Sequence, residues 1–223
     1  MNKLAQSSPG RANPVRLGIL LSGRGSNFLA IAESIRSGRL ANVEIAVVIS
    51  NVADAKGIWA AREVGLPIAV FASKGVKREQ HDFNVAACLA LHEVDLVCLA
   101  GYMRLLSPAF IAAFPNRILN IHPSLLPAFP GLDAQEQAFN YGVKVAGCTV
   151  HFVDTELDHG AIILQRAIPV LDEDDAHSLT ARILQEEHIA YSEAIARVVS
   201  GEYEIRGRQY VKAGNEGARE RGT

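Results

Sequence analysis

Leu17-Gly18-Ile19-Leu20-Leu21-Ser22-Gly23-Arg24-Gly25-Ser26-Asn27-Phe28-Leu29-Ala30-Ile31-Ala32 decides how the rest of the chain is read. Leu17 to Leu21 is an apolar run short enough for a strand. Phe28, Ile31, Ala32 and Ile35 recur at the spacing of one helical face, with a glycine-bearing turn between the two segments. The pattern repeats outward. Apolar runs at Val43 to Ile49, Ile68 to Phe71, Leu96 to Leu99 and Ile118 to Ile121 are separated by stretches long enough for a crossover helix, such as the one carrying Phe83, Ala86, Ala90 and Val94. Alternating strand and helix predicts an α/β fold with a doubly wound, mostly parallel, Rossmann-like sheet. The strands show no polar alternation, as expected where helices cover both faces. Ligands then belong at the carboxyl ends of the strands.

After Pro130 the texture changes. Val145 to Val153 and Ile162 to Val170 are extended runs joined by the acidic stretch Asp154 to Gly160, which predicts an antiparallel C-terminal extension. A long C-terminal helix is expected from about Asp175 to Ser200, with Leu179, Ile183, Ala190, Ala194 and Val198 on one stripe. We found no repeats or linkers, so the expected organisation is a disordered leader over 1–14, a single domain over 15–206 and a polar, fraying tail over 207–223.

The 223 residues suit one core, and 49% hydrophobic against 21% charged residues is ordinary for a globular protein. A formal charge of −2 supplies no broad basic field, which argues against nucleic acid or anionic membrane as a partner and favours small molecules. Cys88, Cys98 and Cys148 stand singly, without the spacing of a disulfide framework or zinc site, so a reducing, cytoplasmic compartment is expected. No run approaches the ~18 apolar residues of a membrane span.

Ser22 to Asn27 opens the first helix, where unpaired N–H groups and the helix dipole attract an anion. A tight strand-to-helix turn also calls for glycine, so the loop has a purely structural reading as well. A dinucleotide fits poorly, because the third glycine is absent and the second strand ends in Ile49-Ser50-Asn51 without an acid for a ribose hydroxyl. No Gly-Lys-Ser/Thr for a nucleoside triphosphate is present either. A phosphate monoester on a small substrate suits Gly25, Ser26 and Asn27 best.

Asn120-Ile121-His122-Pro123-Ser124-Leu125-Leu126-Pro127 begins inside a strand, where period-2 alternation puts Asn120 and His122 on one side. An amide can hold a developing oxyanion, and an imidazole can move the proton that acyl transfer to an amine must shuttle. On residue types alone, a turn-capping asparagine and a hydrogen-bonded core histidine explain the pair equally well. The loop Asp154-Thr155-Glu156-Leu157-Asp158 offers carboxylates to orient His122, or is simply a solvated acidic turn. His151 and His159 lack metal-ligand spacing and read as structural. Glu187 interrupts the apolar stripe of the last helix, so it needs a partner, which could be an arginine, solvent at the helix edge or a polar substrate.

Four segments, Ser22 to Asn27, Ala100-Gly-Tyr-Met-Arg-Leu-Leu-Ser-Pro108, Asn120 to Gly131 and His151 to Gly160, in this order and spacing, resemble the phosphoribosylglycinamide formyltransferase family of folate-dependent enzymes in purine synthesis. The resemblance covers about residues 15 to 205 and implies the Rossmann-like formyltransferase fold. It further implies transfer of the formyl group of 10-formyltetrahydrofolate to the amine of glycinamide ribonucleotide, without a metal. By the same likeness Asn120 would hold the formyl oxygen, His122 would manage the proton, and Asp158 would support the imidazole and order a water. Gly25, Ser26 and Asn27 would bind the acceptor's phosphate and Glu187 its other end. Met103, Arg104, Leu105 and Leu106 would border the pterin pocket with Asp154 to Asp158, while Arg78 would approach the folate's charged tail. Asp133 stands where many members carry histidine, which puts a second-histidine role there in doubt.

Three other readings compete. A formyltetrahydrofolate hydrolase would carry a regulatory domain ahead of the first strand, and a methionyl-tRNA formyltransferase a basic domain after the last helix. A non-catalytic nucleotide-binding module would leave Asn120, His122 and the acidic loop idle. A monomer or homodimer is expected.

Overall fold

The computed structural model describes residues 13–214. Five parallel strands form the first half of the sheet: β1 (Val15–Leu21), β2 (Val43–Ser50), β3 (Ile68–Val70), β4 (Leu96–Leu99) and β5 (Ile118–His122). They are connected by α1 (Ser26–Arg36), α2 (Lys56–Glu63), α3 (Arg78–Leu91) and α4 (Pro108–Ala113). α5 (Ala134–Tyr141) precedes β6 (Val145–Phe152) and β7 (Ile162–Pro169). α6 (Ala176–Ser200) and the hairpin of β8 (Tyr203–Arg206) and β9 (Gln209–Lys212) complete the described chain. The nine strands lie in the order β3-β2-β1-β4-β5-β6-β7-β9-β8.

The doubly wound sheet and its antiparallel extension are both present. β1 to β5 pair in parallel, and β6 runs antiparallel to both β5 and β7. Successive residues of each central strand go to opposite faces. Leu17, Ile19 and Leu21 join the cluster under α1, α2 and α6, while Leu20 joins the one under α3 and α4. This is why the strands read as unbroken apolar runs. Chain order reverses between β1 and β4, so the loops after these two strands flank a topological switch point, where a crevice opens at the strands' carboxyl ends.

α6 begins and ends at the expected limits, just after Asp175 and at Ser200. The Asp175 carboxylate accepts from Ser178 N at 2.6 Å, Ser178 Oγ accepts from Asp175 N at 2.9 Å, and Gly201 closes the helix at φ 67°. The expected stripe is buried in the core, Glu187 included.

The crossover helix between β4 and β5, α4, spans only six residues. The structure adds α5 and the β8–β9 hairpin; α5 buries two alanines, too little apolar pattern to signal a helix. Residues 209–212, assigned to the fraying tail, instead pair with Tyr203–Arg206, because Tyr210 packs edge-on against Phe152 and stacks on Tyr203, both with centroids 5.3 Å apart. The rest of the tail beyond residue 214, and residues 1–12 of the leader, lie outside the described residues. No helix among the described residues is long and apolar enough to cross a membrane.

Candidate active site

Each group the sequence singled out sits at the carboxyl edge of the parallel strands or on an element that folds over it. The first is the turn from β1 into α1. Gly25 caps α1 at φ 75°, and a Cβ there would lie 2.8 Å from Gly57 Cα, so the turn is closed by backbone against backbone. No side chain caps α1, so its first N–H groups stay available to an anion.

Behind this turn a polar chain joins the segments that follow four strands, β4, β1, β2 and β3. Ser22 Oγ accepts from Met103 N at 2.8 Å and donates to Asn51 Oδ1 at 2.5 Å, while Asn51 Nδ2 donates to Ser73 Oγ at 3.1 Å. Ser22 of the glycine loop therefore holds the Met103 segment directly, and the Ser50-Asn51 strand end, which offers no acid to a ribose, links that loop on to Ser73.

Glu187 finds its partner in Asn27. Asn27 Nδ2 donates to Glu187 Oε2 at 2.7 Å, with both side chains buried. Burial pushes the Glu187 carboxyl up to about 7, against the opposing effect of the Asn27 hydrogen bond. Asn27 Oδ1 is buried without a hydrogen-bond partner, an unspent acceptor beside the anion-attracting turn.

Asn120, His122 and Asp158 come together from β5 and from the loop after β6. His122 is buried, its Nε2 2.8 Å from Phe129 O and its Nδ1 3.4 Å from Asp158 Oδ2. A carbonyl only accepts, so Nε2 carries a proton, and Nδ1 faces the carboxylate. The Asp158 side chain is 8% exposed, while those of Asp154 and Glu156 are 42% and 71% exposed. The acidic loop is thus a largely solvated turn with one carboxylate folded inward. Asp158 is placed by a left-handed backbone at φ 49° and by Gly131 N, which donates to Oδ2 at 2.8 Å. Its other oxygen lies 3.5 Å from Asn120 Nδ2.

The sequence reading missed His151 as part of this cluster. Antiparallel pairing sets it directly across from Asn120, and the two side chains meet with Asn120 Nδ2 3.2 Å from His151 Nε2. His151 Nδ1 donates to Phe152 O at 2.8 Å, so Nε2 is left as an acceptor for the amide. Burial is the main cause holding its pKa below the ordinary value, which keeps this neutral tautomer at physiological pH. The period of β6 shows which face His151 occupies, but only the strand register says whom it meets.

The remaining residues are distributed around this centre. Met103 and Leu105 are largely exposed, Arg104 and Leu106 half-buried, and Leu106 packs on the core under α3. Arg78 begins α3 and, with Lys77, Glu79, Arg104 and Leu105, lines an open cleft of about 470 Å³ with a net positive wall. Asp154 accepts from Glu156 N at 2.9 Å and lies 2.9 Å from His159 Nδ1, holding its own turn. Arg208 of the C-terminal hairpin donates to His159 Nε2. Asp133 is exposed at the start of α5, in a left-handed conformation and without a capping bond. Burial pushes the Cys98 and Cys148 thiols up to about 12, so neither supplies a thiolate. Among the described residues, no group of three or more His, Cys, Asp or Glu side chains could hold a metal ion.

The sequence pattern of formyl transferases matches residues 15–195. The chain is 45% identical over 83% of its length to the trifunctional purine biosynthetic protein adenosine-3 of Drosophila melanogaster, and spans 14% of that protein's length. It is 40% identical to the phosphoribosylglycinamide formyltransferase of Escherichia coli (strain K12), covering 82% of this chain and 86% of the relative. Among solved structures, glycinamide ribonucleotide transformylase 1 from Symbiobacterium toebii superposes with a TM-score of 0.88 at 49% identity, over 93% of this chain and 98% of that one.

Proposed function

The chain belongs to the formyl transferase family, and from that membership we propose that it moves the formyl group of 10-formyltetrahydrofolate onto the amine of 5′-phosphoribosylglycinamide. The products are formylglycinamide ribonucleotide and tetrahydrofolate, a step of purine biosynthesis. The observation that carries this reading is the convergence of two distinct sites on one strand edge. One is an uncapped helix start beside the buried Asn27–Glu187 pair, suited to a phosphorylated acceptor. The other is the Asn120–His122–Asp158 cluster, suited to moving protons around a carbonyl carbon.

In this reading Gly25, Ser26 and Asn27 receive the phosphate, and Glu187 with Asn27 Oδ1 contacts the rest of the acceptor. The folate lies against Met103 to Leu106 and the Asp154–Asp158 loop, with its carboxylates toward Arg78 and the positive cleft. The acceptor amine attacks the formyl carbon, forming a C–N bond and placing negative charge on the formyl oxygen. Asn120 then stabilises that oxygen by redirecting an amide hydrogen from Asp158, which is held at only 3.5 Å. The proton lost by the attacking nitrogen is taken up by the Asp158 carboxylate, which His122 Nδ1 faces and supports, and is handed on to N10 of the folate, which leaves as tetrahydrofolate when its C–N bond breaks. Positioning and oxyanion stabilisation supply the acceleration, and no protein nucleophile is used.

We place the reaction in the cytoplasm, on small soluble substrates, with neither nucleic acid nor membrane as partner and with the chain a monomer or homodimer. The formal charge of −2 supports this. The deciding assay gives purified protein 10-formyltetrahydrofolate with and without the ribonucleotide. Release of tetrahydrofolate only when both are present is the expected result. Release from the folate alone would make the protein a hydrolase, and no release a binding module.

A further inference from the structure

Asp82 of α3 is 2% exposed and belongs to none of the sites above, yet it grips the wall of the donor cleft. Its Oδ2 accepts from Ser107 N at 2.6 Å, and its Oδ1 lies 3.4 Å from His81 Nδ1. His81 Nε2 in turn donates to Phe71 O at 2.9 Å, just past β3. Burying a carboxylate is costly unless charge-assisted hydrogen bonds offset it. The start of α4 does not need this one, because Ser107 Oγ already accepts from Phe110 N at 3.3 Å. What Asp82 holds is the chain entering α4. At the other end of the same segment, Met103 N donates to Ser22 Oγ at 2.8 Å. The four residues Met103 to Leu106 therefore hang between two polar anchors. Tyr102 Oη and Arg104 Nε are buried there without hydrogen-bond partners, so the anchors rather than local satisfaction define the segment's shape.

We propose that Asp82 is a positioning residue for the formyl donor: reaching from α3, its carboxylate pins the far end of Met103–Leu106 and keeps that edge of the donor cleft preformed. The proposal rests on the donor site described under the proposed function. A preformed edge spares the folate the cost of ordering the segment on binding, so losing the anchor weakens donor affinity while leaving the chemistry and the acceptor site alone.

The test uses the full chain with Asp82→Ala and Asp82→Asn, read by steady-state kinetics in both substrates and by calorimetric binding of tetrahydrofolate. Asp82→Ala is expected to raise the donor KM and the tetrahydrofolate Kd about tenfold, with kcat and the acceptor KM within about threefold of wild type. Asp82→Asn keeps an oxygen that can accept from Ser107 N and is expected to stay within about threefold throughout. Unchanged donor affinity in Asp82→Ala would overturn the proposal. So would parallel losses in kcat and acceptor KM, or an Asp82→Asn as impaired as Asp82→Ala. Should Asp82→Ala not fold, Asp82→Ser, too short to span to Ser107, is read the same way. A wild-type protein that neither binds tetrahydrofolate nor turns over would remove the donor site itself, whereas an active wild type with unaltered variants would remove only Asp82's role.

Discussion

Asn27 and Glu187, 160 positions apart in the chain, meet at 2.7 Å in a buried pair that closes the floor beside the α1 turn. The pair brings the first helix and the last into contact at the site. It also leaves a carboxyl whose proton is held to about 7.

That proton sets a pH signature. Between about 4.5 and about 7 the folded protein keeps the Glu187 proton while the unfolded chain releases it, so stability falls as pH rises through this window. Glu187→Gln abolishes this contribution. Its unfolding free energy should match wild type near pH 4.5 and exceed it by on the order of 3 kcal/mol above pH 7. Denaturant melts at both pH values check this, and a constant difference between the two proteins would contradict it.

The proton-moving roles proposed for His122 and Asp158 predict a loss confined to turnover. His122→Ala and Asp158→Asn should each lower kcat by about 10²–10⁴-fold. Binding of the phosphorylated acceptor, measured by calorimetry, should change little, since the phosphate site proposed for it is the α1 turn. Turnover near the wild-type level in either variant would refute the assignment.

His151 is buried and its Nε2 accepts from the Asn120 amide, so its removal should misplace rather than delete the group proposed to hold the formyl oxygen. His151→Leu fills the buried site but leaves Asn120 Nδ2 without its acceptor at 3.2 Å. Turnover should drop by up to about 100-fold. The acceptor KM should hold steady, and steady-state kinetics on the variant separates the two quantities.

Gly25 and Gly23 lie two residues apart but should respond differently to a methyl group. Gly25→Ala places a Cβ 2.8 Å from Gly57 Cα at φ 75°, whereas a Cβ at Gly23 meets nothing within 4 Å. The left-handed backbone alone costs Gly25→Ala roughly 1–2 kcal/mol, and displacement of the turn should raise the acceptor KM. Gly23→Ala should melt close to wild type, and thermal unfolding of both variants is the comparison to make.

Much of the architecture is legible in the chain because its signals are local. Leu17 to Leu21 reads as a strand from its own residues, and the α6 stripe, from about Asp175 to Ser200, from 3.6-residue spacing. The shared face of Asn120 and His122 follows from pleating alone. The β8–β9 hairpin escaped because its strands gain their reason from Phe152, Tyr203 and Tyr210 meeting across the sequence.

The sequence by itself determined the alternation of strand and helix, the face carrying Asn120 and His122, the glycine turn and the misfit of Glu187 in an apolar stripe. Each is a property of residues within a few positions of one another, where backbone geometry leaves little choice. Only the tertiary structure decided that Asp158 alone among the loop's acids turns inward, that His151 faces Asn120, that Glu187 meets Asn27 and that Asp82 reaches Ser107. Those pairings depend on strand register and helix docking, which are settled by burial summed over the whole core.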